Sequence, residues 1–336
     1  MKMLLTTAAT AAALAMLSAP ALAQDGECGD VTIAEMNWAS AGVLAQIDKI
    51  ILEEGFGCDV SLIPGDTMPT FTSMNEKGEP DVAPEFWELA VAIPLNNAVE
   101  EGRLVKAAQP LSDTVQGNAL EGWWVPRFVI EQNPDIKTVE DALARPDLFP
   151  HPEDPDKGGI HNCPAGWNCR ISTSNLARAY GAEEAGFELV ETGSAAGLDG
   201  SIARAFEREQ AWLGYYWEPT AIMGKYDMVR LDWGVEHDRD EWANCTSVEG
   251  CDDPQKNAYP VAEISTVVTD EFAQENAVAM DYLKTRAWSN DIVNDVLKWQ
   301  QDNQANNEDT AYYFLENYGD TWRSWVSEDV ASKIEI

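Results

Sequence analysis

Val31-Thr-Ile-Ala-Glu-Met36 alternates and runs on to Asn37-Trp38, and Cys58-Asp-Val-Ser-Leu-Ile63 repeats the pattern. Both read as strands. Between them, Ala41 to Glu54 carries Val43, Leu44, Ile47, Ile50 and Ile51 at helical spacing, and Gly55 and Gly57 stop the helix. Strand, helix and strand within about 35 residues make a parallel βαβ unit. Such a unit buries both faces of its sheet, so the chain is expected to be α/β.

The same alternation continues down the chain. Asp66 to Glu76 reads as helix, Pro80 to Trp87 as a strand ending in an exposed turn, and residues 88–101 as helix again. Gly117 to Val129 holds Gly122-Trp-Trp-Val-Pro126, an apolar strand interrupted by proline, which suits a segment crossing between two domains. Thr138 is placed to cap a helix through Leu143, and Arg145 to His161, rich in Pro, Asp and Gly, reads as loop. Ser172 to Tyr180 and Gly200 to Glu209 read as helices, Phe187 to Val190 and Gln210 to Trp217 as strands. Tyr259 to Val268 is a second crossing strand, and residues 271–336 are helical, with Trp288, Trp299, Trp322 and Trp325 as packing residues. The expected organisation is a first lobe from 24–122 and 263–336 and a second lobe from 123–262. Ligands in open α/β sheets lie beyond the carboxyl ends of the strands, here in the cleft between the lobes.

The first residues read as an address. Lys2, an apolar run from Leu4 to Leu17 and Ala21-Leu-Ala23 form a secretory signal peptide over residues 1–23, too short in its apolar part to span a bilayer comfortably. Position 24 is Gln, which offers no cysteine for a lipid anchor. With 58 acidic against 22 basic residues and a net charge of −36, the chain repels nucleic acid and anionic membrane and suits a cationic partner or a salty medium. Six cysteines fit an oxidising compartment. Fifteen pairings are possible; the sequence neighbours Cys28–Cys58, Cys163–Cys169 and Cys245–Cys251 are the expected ones. Zinc is the competing reading, without a Cys-x-x-Cys or suitably spaced histidines to support it. Glu153, Asp154 and Asp156 are an alternative set of metal ligands, opposed by the prolines around them.

Enzyme signatures are thin: there is no phosphate-binding Gly-rich loop, no His-Glu-x-x-His and no Gly-x-Ser-x-Gly. Tryptophan is abundant, with thirteen in the chain. Trp38, Trp87 and Trp217 fall at strand ends, Trp167 lies inside the loop Cys163-Pro-Ala-Gly-Trp-Asn-Cys169, and Trp123 and Trp124 lie on the crossing strand. Single tryptophans usually fill cores. Several at cleft-facing strand ends suggest an aromatic cage for a methylated ammonium ion, which has diffuse charge and few hydrogen bonds to offer. Four faces at ~1–2 kcal/mol each reach roughly micromolar affinity if they add.

Cys-x-x-Gly-Trp-x-Cys, the helix ending in Leu176-Ala-x-Ala-Tyr180, Tyr215-Tyr-Trp217-Glu-Pro and Phe86-Trp87 together resemble the periplasmic glycine betaine, proline betaine and choline-binding proteins of ABC importers. The resemblance runs broadly over residues 30–330. It implies an α/β, two-lobed type II periplasmic substrate-binding protein fold, two crossing strands and a ligand cleft that closes on a solute. It makes Trp87, Trp167 and Trp217 cage residues and Cys163–Cys169 the family's disulfide. By similarity to the choline binders, Trp38 and Trp124, with Trp123 as the alternate, complete the cage. Where the betaine binders carry a histidine four residues after the cage tryptophan, this chain has Val91. A ligand carboxylate would lose that donor, although the backbone N–H groups of Asn168 and Cys169 remain available to it. The chain in this respect is similar to the trimethylamine N-oxide-binding proteins of marine bacteria, and Glu131 or Glu121 is placed to balance the cation. The resulting expectation is a monomeric periplasmic receptor without cofactor, of the Gram-negative type, serving an inner-membrane ABC permease. Glycine betaine, choline and dimethylsulfoniopropionate are the alternative ligands, and a secreted enzyme acting on methylated amines is the alternative class.

Overall fold

A computed structural model describes residues 28–89, 91–111 and 119–336; the expected signal peptide lies outside them. Ten strands follow in chain order: β1 (Asp30–Met36), β2 (Asp59–Gly65), β3 (Val82–Trp87), β4 (Leu104–Ala108), β5 (Leu120–Pro126), β6 (Gly158–His161), β7 (Phe187–Val190), β8 (Gly214–Glu218), β9 (Met228–Arg230) and β10 (Ile264–Thr269). They form two five-stranded sheets of order β2-β1-β3-β10-β4 and β7-β6-β8-β5-β9. Each sheet, with the helices on its faces, is one lobe.

The opening βαβ unit is present. β1 and β2 pair in parallel register, Val31 with Val60 and Ile33 with Leu62. The intervening helix Ala39–Ile50 buries Val43, Leu44, Ile47 and Ile50 on its sheet side. Cys28 and Cys58 join just ahead of the two strands, with Cα atoms 4.6 Å apart. The chain returns to this lobe at β10 and stays there to its end. Arg286 forms an ion pair at 2.8 Å with Asp48 of that first helix, and the Tyr282 hydroxyl donates to the same carboxylate at 2.6 Å. Both charges are fully buried, so each depends on the other. Trp288, Trp322 and Trp325 are buried in this lobe, and Trp299 stacks on Tyr313 with ring centroids 4.0 Å apart.

Two expectations about the second lobe are corrected. The segment with Trp123 and Trp124 does not cross between lobes. It is an inner strand, β5, paired with β8 on one side and β9 on the other, and Pro126 closes it opposite Met228. The proline is tolerated because it is the last residue of its strand and opens the helix Arg127–Gln132. Leu111 still bridges Trp288 in the first lobe, and the returning chain meets the start of β5: the Ala262 N–H donates to the Ala119 carbonyl at 3.2 Å, and Leu120 bridges Val261. The other correction is β6, which lies at the end of the stretch read as loop. Gly158 and Gly159 look like loop residues in sequence. A Cβ on Gly158 would lie 2.6 Å from the Phe187 ring, so the strand needs glycine there for packing and not for turning.

Candidate functional site

Four of the five cage tryptophans expected from the sequence converge. Trp38 follows β1, Trp87 ends β3, Trp217 lies near the end of β8, and Trp167 stands in the clamped loop before the helix Cys169–Ala179. They line one cavity of about 30 Å³ together with Thr67, Glu121, Asn168, Cys169 and Tyr215. Trp38 and Trp87 come from the first lobe, Trp167 and Trp217 from the second. Trp167 meets Trp38 edge to face at 5.9 Å and Trp217 edge to face at 5.1 Å. All four rings are almost entirely buried.

Three of the four rings are fixed by their polar edges. The Trp38 and Trp87 indole N–H groups both donate to Glu85 Oε1, at 2.8 and 2.9 Å. The Trp167 N–H crosses the cleft to Asn37 Oδ1 at 2.5 Å. Beside it the Met68 N–H donates to the Gly166 carbonyl at 3.3 Å, so the clamped loop is held against the first lobe by backbone as well as side chain.

Trp124, expected on the first wall, is not in the cavity. Its N–H donates to the Tyr216 carbonyl at 2.9 Å inside the second sheet. Trp123, the alternate, packs against Trp233 at 5.3 Å in that lobe's core. Register explains both placements. β5 runs antiparallel to β8 with Glu121 opposite Trp217 and Trp124 opposite Gly214, so the residue level with the cavity is Glu121. Glu131 is exposed on the helix Arg127–Gln132, away from the site. Val91 is buried at the start of the helix Ala92–Glu100 and does not line the cavity. Glu153, Asp154 and Asp156 do not gather as a ligand set; the His151 ring accepts from the first two backbone N–H groups, and Asp154 accepts from the third. Among the described residues no three metal-ligating side chains cluster.

Glu121 is 3% exposed. One carboxyl oxygen accepts the Tyr215 hydroxyl at 2.6 Å, and the other has no partner among the described residues. Burial pushes its pKa up to about 7, against the opposing pull of that hydrogen bond. Tyr215 and Thr67, which the sequence reading missed, complete the lining. Tyr215 was legible only as a neighbour of Trp217, with which it stacks at 6.2 Å.

The clamp is formed, with Cys163 and Cys169 Cα atoms 5.9 Å apart, and so is the third expected bridge, Cys245–Cys251. Cys169 opens an eleven-residue helix, so the clamp ties the loop bearing Trp167 to that helix's N-terminus. The double substitution Cys163→Ser with Cys169→Ser is expected to weaken ligand binding roughly tenfold, the cost of ordering one or two large side chains on closure. Unchanged affinity by calorimetry would contradict a preorganised wall.

Two α/β lobes with an aromatic cavity closed between them define a solute-binding protein, and the comparisons give its family. Residues 29–317 match the family of the substrate-binding domain of ABC-type glycine betaine transport systems, and the chain belongs to it. Among solved structures, a choline-binding protein of an ABC transporter in complex with choline has TM-score 0.71 at 18% identity, covering 91% of this chain and 97% of that one. The glycine betaine/L-proline-binding protein from Borrelia burgdorferi has TM-score 0.68 at 17% identity, covering 91% and 100%. A lactococcal glycine betaine-binding protein in its closed, liganded form has TM-score 0.66 at 16% identity, covering 89% and 100%. At these identities the likeness is one of fold. No curated protein sequence matches the chain. No helix among the described residues is long and apolar enough to cross a membrane.

Proposed function

We propose that this member of the family is a periplasmic receptor that closes on a small methylated amine, trimethylamine N-oxide in the first place, and presents it to an ABC permease. The observation that carries the reading is the cavity itself: four tryptophans and one carboxyl oxygen without a partner around a space of about 30 Å³. The π faces suit the methylated, positively charged nitrogen. Ionised Glu121 balances its charge. The N-oxide oxygen is served by the amides of Asn168 and Cys169, since the first N–H groups of a helix lack intrahelical acceptors and carry its positive end. A betaine carboxylate is disfavoured by repulsion from Glu121. Choline is the runner-up, because its hydroxyl can donate to the free Glu121 oxygen.

Calorimetry with trimethylamine N-oxide, choline, glycine betaine and dimethylsulfoniopropionate at pH 6 and pH 8 tests this. A cationic nitrogen beside Glu121 favours its ionised form. Binding therefore releases a proton below about pH 7, and affinity for the N-oxide and for choline rises as pH rises through that value and then levels off. Glycine betaine is expected to move the other way. Absence of binding below millimolar for all four ligands would refute the cage. Turnover of the N-oxide by the purified protein would favour the enzyme reading.

A further inference from the structure

β3 ends Pro84-Glu-Phe-Trp87, and strand alternation puts Glu85 and Trp87 on one face. Glu85 is fully buried, outside the cavity lining, and a single oxygen carries its hydrogen bonding. Its Oε1 accepts the indole N–H of Trp38 at 2.8 Å, that of Trp87 at 2.9 Å and the Ser40 hydroxyl at 2.8 Å. Its Oε2 has no partner among the described residues. A structural acceptor for an indole needs no charge; a backbone carbonyl serves Trp124, Trp322 and Trp325 elsewhere in the fold. Here a potentially charged group sits where both first-lobe cage rings converge. Three donors on one oxygen suit a carboxylate, which accepts roughly twice as strongly as a neutral group.

We propose that Glu85 is an ionised positioning residue that sets the in-plane orientation of Trp38 and Trp87 together and, through its charge, raises the affinity of their faces for a cation. Charge-assisted N–H···O bonds push electron density into both indoles, and the carboxylate adds its own field in a water-excluded site where Coulomb interactions are weakly screened. Burial raises the Glu85 pKa above the ordinary carboxylate value on balance, and the Trp87, Trp38 and Ser40 donors and the Arg286 charge oppose that rise without cancelling it. Arg286 lies behind β3, its Nη2 donating to the Pro84 carbonyl at 3.3 Å and to Thr266 Oγ1 at 2.9 Å. The buried arginine of the C-terminal segment thus reaches Glu85 through its charge, and Glu85 reaches the two rings through hydrogen bonds. Neither Glu85 nor Arg286 lines the cavity, so the effect of each on a ligand would pass through the tryptophans.

This inference rests on the cage reading, and the experiment separates the two. Affinities of trimethylamine N-oxide and of tert-butanol, which copies its shape without the charged nitrogen, are measured for wild type and Glu85→Gln. The glutamine keeps an acceptor oxygen and loses the charge. The N-oxide is expected to bind roughly tenfold more weakly to the variant, with tert-butanol changed less than twofold. Equal losses for both ligands, or no loss for either, overturn the charged role. In the wild-type protein, 15N-edited spectra of the indole N–H groups give a second measure that needs no variant. The Trp38 and Trp87 protons are expected downfield of those of Trp124 and Trp322, which donate to neutral carbonyls; coincidence of the four overturns the proposal even if the glutamine variant does not fold. Failure of wild type to bind the N-oxide would refute the cage reading while leaving the spectra to decide Glu85.

Discussion

Trp217→Ala is expected to weaken binding at least tenfold, and Trp322→Ala to leave the affinity of the folded protein unchanged. Removing Trp217 takes away one ligand face worth ~1–2 kcal/mol, and each 1.4 kcal/mol is a factor of ten. The loss does not stop there. Trp217 is the ring against which the edge of Trp167 rests at 5.1 Å, so its deletion also frees the wall that closes the cavity. Trp322 is just as large and more deeply buried, with its N–H on the Leu315 carbonyl at 2.8 Å, but it packs within the first lobe. Its truncation should cost ~3–5 kcal/mol of stability through the hole it leaves. Calorimetry combined with thermal melts separates the two effects. Equal losses of affinity would mean that the cage rings are ordinary core.

The second large effect is expected at Gly166, which has φ +93° and lies at the contact between the lobes. A Cβ there would stand 2.3 Å from Asp66 Oδ2 and 2.5 Å from Oδ1. Asp66 precedes the helix Thr67–Lys77 of the first lobe, and its carboxylate also accepts from Asn37 at 3.4 Å. Gly166→Ala therefore pays twice: a modest cost in any state for a left-handed backbone, about 1 kcal/mol, and a clash that exists only when the lobes meet. Affinity is expected to fall tenfold or more, with a melting temperature of the unliganded protein changed by only a few degrees. Adding Asp66→Ala should recover much of the affinity, because the obstructing oxygens are gone. Additive losses in the double variant would show that the two residues are not coupled.

The convergence of the four tryptophans was legible where residue type and local punctuation coincide. Trp38, Trp87 and Trp217 lie at or within two residues of a strand's end, and Trp167 is held between two cysteines, so their approximate height in the fold follows from chain order. What lies beside them did not follow. The position of Glu121 depends on the register of β5 against β8, and register is set by pairing across more than ninety residues. The Gly-Trp-Trp-Val-Pro segment carried the apolar signal of a crossing strand, but an inner strand of a buried sheet carries the same signal. Glu85 was hidden for another reason. An acid two residues before a tryptophan looks like a solvated charge until Trp38 is brought to the same oxygen from forty-seven residues away. The disulfide pairs, by contrast, needed only proximity along the chain.

The bond from Trp167 to Asn37 has a kinetic meaning. With the clamped ring bonded across the cleft, an occupant is expected to leave only after the two lobes separate. Residence time is then bounded below by the lifetime of the closed lobes. Ligands that differ in head group should share that bound and differ mainly in how strongly they hold the closed form. A permease that pries the lobes apart would empty the site at its own pace, whatever the solute.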